Sequence, residues 1–502
     1  MTMEMMPPLM FGALIVVMLA GFPVAFSLAG LGLACGYYAV HMGFFPEAFM
    51  ANLPLRLFGI VSNELLLAIP FFTFMGAILE RCGLAEDLLE GTGQLFGSKP
   101  GGLGFAVIIV GAILGAITGT VAASVIAMGV ISLPVMMRYG YNMRYATGVI
   151  AASGTITQLI PPSLVLVVLA DQLGRSVGDM YRGAIGPSLL QTALFLLFTL
   201  GVAVLRPQWV PPLPEEARTL RGAALFKRVL WGMLPSIVLI FLVLGTLFMG
   251  LATPTEAGAL GAIGGMVLAA LHRRLTLSLI WQAMDSTLRV TAMVIFILLG
   301  SSVFSLVFQG VDGNVWIEHM LADLPGGPLG FLIVVNLFVF FLAFFLDFFE
   351  IAFIIVPLLA PVAQKLGIDL VWFGVLLCVN MQTSFMHPPF GFALFYLRGI
   401  GDQIFKNGAI PKPIESRDIY LGAIPWVGMQ LLLVAVVIFW PESVTYWLEK
   451  EAQVNVDDVK IEMKIEDTGE PSMESTPSMP MPDPVDSDDP TQAVKDAIGK
   501  DR

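Results

Sequence analysis

The sequence predicts an all-α polytopic membrane protein made of two related halves. Hydrophobic residues make up 57% of the 502 and charged residues 13%, with a mean hydropathy of +0.84; a soluble domain cannot carry that balance. Apolar runs recur along the chain, and several, such as 9–45 and 103–137, exceed the roughly 20 residues one helix needs to cross a bilayer. They must be broken, tilted or folded back, and about twelve embedded segments are expected. The third observation is an internal match. Pro134, Gly140 and Pro161-Pro162 recur 227 residues later as Pro361, Gly367 and Pro388-Pro389, without a gap. Paired helix breakers in corresponding apolar segments of two halves point to a secondary transporter with a binding site near the membrane midplane.

In chain order, no basic stretch precedes the first apolar run and no small-residue cleavage site follows it, so a retained helix is expected, not a signal peptide. The first repeat and its scaffold helices are expected over 1–205. Within it, Ser62-Asn63-Glu64 through Pro70 to Gly76 and Glu80 is short, apolar and interrupted, and reads as a re-entrant hairpin over about 62–80. Irregular backbone at membrane depth survives only where protein or a water-filled cavity covers it. Thr118-Gly119-Thr120 then sits in the middle of the uncharged run 103–137. A glycine between two threonines is a point where a helix can unwind, exposing oxygens suited to Na+, while a half-helix N-terminus favours an anion. Close helix packing by small residues is the alternative. Farther on, Gly154-Thr155-Ile156-Thr157 precedes Pro161 and Pro162. Each proline frees a carbonyl one turn earlier, so this hydroxyl-rich turn is expected to present a cluster of oxygens to a ligand.

Residues 206–228 interrupt the hydrophobic body with Pro207, Pro211, Pro212, Pro214 and several charges, and form the expected linker; 229–440 is the second repeat. Thr253-Pro254-Thr255-Glu256 reads as a helix start with a capping box. The stretch from Thr287 through Gly300-Ser301-Ser302 to Gln309-Gly310 reads as a second hairpin over about 287–310, and the offset carries 62–80 onto 289–307 within it. The counterpart of Thr120 is Asp347, with Glu350 three residues on and on the same helical face. A carboxylate at membrane depth costs about 2.5–3.5 kcal/mol on insertion scales and is rare without a function. Ion ligation or proton carriage is therefore the leading reading, and a hydrogen-bonding role at a helix end the alternative. Asn380, Gln382, Thr383 and Ser384 before Pro388 and Pro389 repeat the polar turn of the first half with amides added. His387 adjoins them and reads as a packing residue.

The stretch 449–502 holds fifteen acidic and six basic residues, −9 of the net −12. Rich in Pro and Ser and without an apolar period, it reads as a disordered acidic tail. Cys35, Cys82 and Cys378 lack metal or redox spacing and read as packing residues. Arg138 and Arg144, the linker, and His272-Arg273-Arg274 are separated by pairs of crossing segments, which puts them on one side, the cytoplasmic one by the positive-inside rule. No Walker-type phosphate loop is present, so ATP is not the expected energy source, and no nucleic-acid partner is expected. An intramembrane enzyme would need clustered histidines or a second aspartate beside Asp347. The four histidines, at 41, 272, 319 and 387, are isolated, and no enzymatic activity is expected.

Several motifs in order resemble the large membrane subunit of the tripartite ATP-independent periplasmic (TRAP) transporters. They are Ser62-Asn63 with Ala68-Ile69-Pro70-Phe71-Phe72, Lys99-Pro100-Gly101-Gly102, Thr118-Gly119-Thr120, Ile160-Pro161-Pro162-Ser163, Thr253-Pro254-Thr255-Glu256-Ala257-Gly258 and Ala360-Pro361-Val362-Ala363. Glu350 and the stretch 380–387 resemble the branch labelled for mannitol, chloroaromatic or 2-oxo acid uptake. The resemblance implies an inverted-repeat, elevator-type carrier of the ion-transporter superfamily, with two re-entrant hairpins and discontinuous helices, in the bacterial inner membrane. It further implies Na+ as the coupling ion, an organic acid as substrate, a periplasmic substrate-binding protein, and a small four-helix membrane subunit on a separate chain. By the same resemblance, Na+ is expected at Ser62, Asn63, Gly119, Gly154, Thr155, Asp347, Asn380, Gln382 and Thr383; Glu350, where sialic-acid and dicarboxylate members usually carry an uncharged residue, joins them through its charge and the helical face it shares with Asp347. The substrate is expected at Thr118, Gly119, Thr120, Thr157, Pro161, Pro162, Ser384, Pro388 and Pro389. A stand-alone anion symporter of the same superfamily, coupled to Na+ or H+, is the alternative.

Overall fold

The computed structural model describes residues 2–218, 222–322, 324–344, 346–387, 391–408, 410 and 412–448. The acidic stretch 449–502, Pro388, Pro389 and part of the linker lie outside them. The described residues are helical with no strand. The first half contains α1 (Met6–Leu19), α2 (Val24–His41), α3 (Leu53–Val61), α4 (Ala68–Arg81) and α5 (Leu84–Phe96). It continues with α6 (Gly102–Thr118), α7 (Val121–Arg138), α8 (Met143–Thr155), α9 (Leu164–Leu173) and α10 (Val177–Leu205). The second half contains α11 (Gly222–Phe248), α12 (Pro254–Leu271), α13 (Leu277–Gly310), α14 (Gly313–Ala322) and α15 (Gly327–Leu342). It ends with α16 (Phe348–Lys365), α17 (Leu370–Met381), α18 (Phe392–Lys406) and α19 (Ser416–Phe439). Among the described residues eight helices are long and apolar enough to cross a membrane, or nine if one bent pair counts as a span. This is an all-α polytopic membrane protein.

The duplication extends through the structure. The 227-residue offset carries α7 onto α16 end to end, and the first residue of α8 onto the first of α17. The scaffold helices pair reciprocally across the halves. On α2, a Cβ at Gly32 would lie 2.9 Å from the Phe304 nitrogen of α13; on α12, one at Gly258 would lie 3.0 Å from Phe71 Cβ of α4. Small residues let helices approach this closely where lipid offers no hydrophobic drive to associate. The helix start at Thr253 forms its capping box, with Glu256 accepting from the Thr253 nitrogen at 2.8 Å.

The re-entrant hairpins are elsewhere than at 62–80 and 287–310. Glu47–Val61 and Glu64–Arg81 bend by 45° without reversing, because Asn63 ends one helix and caps the next turn by accepting from the Leu65 nitrogen at 3.0 Å. Its counterpart α13 runs unbroken for 34 residues. Gly300 and Ser301, which read as a break, stay helical: Gly300 packs on the Ala25 backbone, and Ser301 returns its hydroxyl to the Leu298 carbonyl at 3.0 Å. The chain instead reverses at 119–120 and between α15 and α16. Leu103 and Val107 of α6 line one cavity with Ile131 and Met136 of α7, and Val335 and Phe338 of α15 line another with Leu359 and Ile355 of α16. Both pairs are therefore antiparallel hairpins.

Each hairpin lies against a broken helix, α8–α9 in the first half and α17–α18 in the second. Glycine contacts place α6 parallel to α8: a Cβ at Gly104 would meet the Tyr145 hydroxyl, one at Gly111 Ser153, one at Gly115 Thr157. The two broken helices run in opposite directions. Along α19, Asp418 binds Arg144 at 2.8 Å and Gln430 donates to Thr155 at 3.0 Å, so α8 is parallel to α19. Trp372, at the start of α17, donates to the Val437 carbonyl at 3.0 Å, and Met386, past its end, lies 3.6 Å from the Thr155 hydroxyl, at the level of Gln430. α17 is thus antiparallel to α19, and the repeats are inverted.

Cys35, Cys82 and Cys378 are all buried, with relative exposures of 8%, 0% and 0%. N-ethylmaleimide is expected to leave the folded protein unlabelled on the minute timescale and to label it after denaturation. Rapid labelling of the native protein, read by intact mass, would contradict this packing.

Candidate functional site

The two hairpin tips and the two helix breaks meet around one cavity. Its volume is about 350 Å³, and its lining includes Gly119, Thr120, Val121 and Ala122 from the first tip, Asp347, Phe348 and Phe349 from the second, Gln158 from the first break and Phe385 from the second. A second cavity of about 290 Å³ shares Asp347 and adds Ser384. Gly119 makes the first tip possible: its φ of +62° lies in the left-handed region, where a side chain would be strained.

The tips differ in how their second helices begin. Thr120 is extended at the N-cap of α7 and its side chain makes no capping bond, so the first N–H groups of α7 and the positive end of its dipole open on the cavity. At the second tip, Asp347 accepts from the Phe348 nitrogen at 2.6 Å and Glu350 from the Asp347 nitrogen at 2.8 Å. The helix-end role weighed as an alternative for this pair is present in the geometry. Asp347 also lines both cavities, whereas Glu350 lines neither. One tip thus offers donors and the other a carboxylate.

The first break contains a cis Pro161-Pro162 bond, and its freed carbonyls are largely taken. Gln158 O accepts from Ser163 and from Cys378, and Leu159 O from Ser188 at 3.0 Å; past the prolines, Ser163 O accepts from Tyr181 at 3.3 Å. The cluster of available oxygens expected from the prolines is therefore reduced, because neighbouring helices supply donors to it. Pro161 and Pro162 are buried and do not line the cavity. Thr157 is buried under the hairpin, donating to Ser124 at 3.0 Å. Gly154 packs on Val125, and Thr155 is held by Gln430.

At the second break, Thr383 and Ser384 return their hydroxyls to the carbonyls of Asn380 and Met381. Asn380 donates to the Asn336 carbonyl at 2.7 Å. Gln382 is fully buried, with neither end of its carboxamide bonded among the described residues. His387 packs between Phe340 and Phe344, with centroids 4.3 and 4.4 Å away.

Ser62 and Asn63 do not join the cavity. Asn63 donates to Asp171 at 2.7 Å, and Asp171 lies near the far end of α9, about 10 Å along the helix from Leu164 at the cavity. The side chain of Thr118 lies outside what is described; its backbone ends α6. Among the described residues no three His, Cys, Asp or Glu side chains come together as metal ligands. Any cation here would rest on neutral oxygens and Asp347, a donor set that suits a hard monovalent ion better than a transition metal.

Sequence reasoning missed Gln158, Gln430 and the aromatic wall of Phe349, Phe392 and Tyr396. Gln430 left a signal, as a single amide in the apolar run 421–440. The wall left none, because its rings come from segments that only the fold brings together.

Inverted repeats, two hairpins and two broken helices around one cavity, in a chain of membrane-spanning helices, define a secondary-transporter class of protein. Residues 11–443 match the family model described as "Tripartite ATP-independent periplasmic transporter, DctM component", and the chain belongs to that family as a large permease subunit, not an enzyme. It is 30% identical over 450 residues to the C4-dicarboxylate TRAP transporter large permease protein DctM of Rhodobacter capsulatus, covering 86% of this chain and 96% of that one. It is 25% identical over 425 residues to the 2,3-diketo-L-gulonate TRAP transporter large permease protein YiaN of Escherichia coli, covering 84% and 94%. The isethionate TRAP transporter permease protein DctMQ of Oleidesulfovibrio alaskensis is 28% identical over 396 residues, covering 79% of this chain and 60% of that longer one. Among solved structures, the Alcanivorax borkumensis YdaH transporter superposes with a TM-score of 0.56 at 16% identity, over 78% of this chain and 87% of that one. That likeness concerns the fold.

Proposed function

We propose that this permease imports a small organic acid by Na+ symport, the hairpins and broken helices moving as one body against the α2, α4, α12 and α13 scaffold in an elevator-type step. It resides in the bacterial inner membrane. A periplasmic binding protein delivers the substrate, and a small four-helix subunit on a separate chain completes the carrier. The observation that carries this reading is the asymmetry of the tips. An uncapped helix N-terminus at Thr120 favours a carboxylate, and Asp347 across the same cavity favours a cation. Each ion lowers the cost of desolvating the other, so they bind best together. Na+ fits because the cavity lining offers hard oxygens, of which only those of Asp347 belong to a carboxylate.

Uptake by the reconstituted complex with its binding protein, under an imposed Na+ gradient or an imposed proton gradient of equal size, tests the coupling. Accumulation with the first and none with the second is expected. Accumulation driven by protons alone sinks Na+ coupling, and full uptake without binding protein favours the stand-alone symporter.

A further inference from the structure

We infer that the cavity between α5 and the first hairpin binds a small amphiphilic amine, a primary ammonium on a short apolar body, and that the bound amine holds the hairpin in place. This cavity has a volume of about 240 Å³, and it has a twin of about 480 Å³ in the second half. Leu89, Glu90, Gly93 and Gln94 of α5, with Ile131 and Ser132 of α7, line the first. The 227-residue offset carries them onto Trp316, Ile317, Met320, Leu321, Leu358 and Leu359, which all line the second. Every residue lining the twin is apolar. The junction of a helix with a hairpin base therefore needs no polar group to form, and Glu86, Glu90, Gln94 and Ser132 are features of the first cavity alone.

The chemistry of the lining selects the ligand. Glu86 and Glu90 stand four residues apart on one face of α5, and no Arg, Lys or His is among the described residues of the lining, so the cavity attracts a cation and repels an anion. Ser132, on the α7 wall, is 5% exposed, and its hydroxyl has no partner among the described residues. It can accept one N–H of an ammonium, which carries three. Val107, Ile131, Val135 and Met136 leave much of the remaining wall apolar, which suits an alkyl or aryl body and offers nothing to a bare metal ion. The walls also belong to parts that the elevator step moves relative to each other. α5 follows the scaffold helix α4 and packs on α11, where a Cβ at Gly91 would lie 3.3 Å from Val229 Cγ2, while α7 belongs to the moving hairpin. An amine bridging α5 and α7 ties the two together; this consequence, unlike the site itself, rests on the elevator reading above.

Hexylamine is the probe, with hexanol and hexanoate as the uncharged and oppositely charged controls. Thermal unfolding of the purified permease complex tests the site, and Na+-driven uptake by the same complex in proteoliposomes tests the consequence. Saturating hexylamine is expected to raise the unfolding temperature by about 1–2 °C, and neither control to raise it. Glu86→Gln is expected to raise the amine concentration needed about fivefold. Ser132→Leu, which copies Leu359 of the twin and fills the cavity, is expected to abolish the shift. Neither residue lines the substrate cavity, so normal uptake without amine is expected in both variants and shows that they fold; Gly93→Met, copying Met320, serves if Ser132→Leu does not. Hexylamine is expected to inhibit wild-type uptake over the concentrations that stabilise the complex, and to leave uptake by Ser132→Leu unchanged. The absence of a shift in the wild type, or the same shift and inhibition in both variants, overturns the site. A shift that Ser132→Leu abolishes, in a protein whose uptake hexylamine leaves untouched, keeps the site and counts against the elevator reading.

Discussion

Asp347→Asn is expected to lower Na+-driven uptake about a hundredfold, the scale of losing one charge-assisted contact of about 3 kcal/mol, while the protein folds normally. The substitution separates the two roles that the geometry assigns to this side chain. Asn caps helices about as well as Asp, so the bond to the Phe348 nitrogen survives and α16 still starts where it does. What disappears is the negative charge at the meeting of the two cavities. Glu350→Gln is expected to do much less. Glu350 lines neither cavity and accepts from the Asp347 nitrogen, a bond that a glutamine oxygen can also accept. Thermal unfolding and uptake measured on both variants check this. Equal losses of uptake in the two would assign the function to the capping box as a unit; unchanged uptake in Asp347→Asn would remove the carboxylate from the mechanism.

Gly422→Val is expected to prevent folding or to destabilise the protein by about 1–3 kcal/mol or more, the range for forcing bulk into a closed interface. A Cβ at Gly422 would lie 2.2 Å from the Arg144 carbonyl oxygen, and one at Gly148 would lie 2.3 Å from the Gly422 oxygen. Both clashes are with backbone, which cannot rotate aside. The interface they would force apart seats α19 against α8 and brings Gln430 to Thr155, so the first break loses its support with the packing. Gly428 on the same helix has nothing within 4 Å of its Cβ position, and Gly428→Val is the matched control. Fluorescence-detected size exclusion is expected to show little monodisperse Gly422→Val protein and near-normal Gly428→Val protein. Wild-type behaviour of Gly422→Val would mean that the two helices are farther apart than described.

The duplication was legible in the sequence because proline and glycine leave marks that survive divergence. The offset read from Pro134 and Pro361 also superposes α7 on α16. Gly119 was legible as a break for a local reason, the left-handed backbone that glycine alone adopts without strain. The hairpin at 287–310 was misread because Gly300-Ser301-Ser302 weakens an isolated helix but not one packed on α2, where the missing Cβ is what permits contact with Ala25. Helix propensity is a weak prior once tertiary packing decides. The freed carbonyls before Pro161 were over-read for a similar reason: Ser188 and Cys378 reach them from other helices. Asp347 was legible through the rarity of carboxylates at such depth, and its partner Thr120 through the repeat. Their juxtaposition with Gln158 and the aromatic wall depends on the inversion, which a linear offset cannot express.

The central claim is that Na+ and a carboxylate occupy one cavity and favour each other's binding. Linkage requires that coupling be reciprocal: if Na+ raises the affinity for the anion by some factor, the anion raises the affinity for Na+ by the same factor. Titrating succinate and phenylacetate, a dicarboxylate and a monocarboxylate, at several Na+ concentrations, and Na+ at several concentrations of the anion that binds, on one preparation of the complex measures both factors. Equal factors well above one are expected, both collapsing toward one in Asp347→Asn. Anion binding that is the same in NaCl and choline chloride would contradict it.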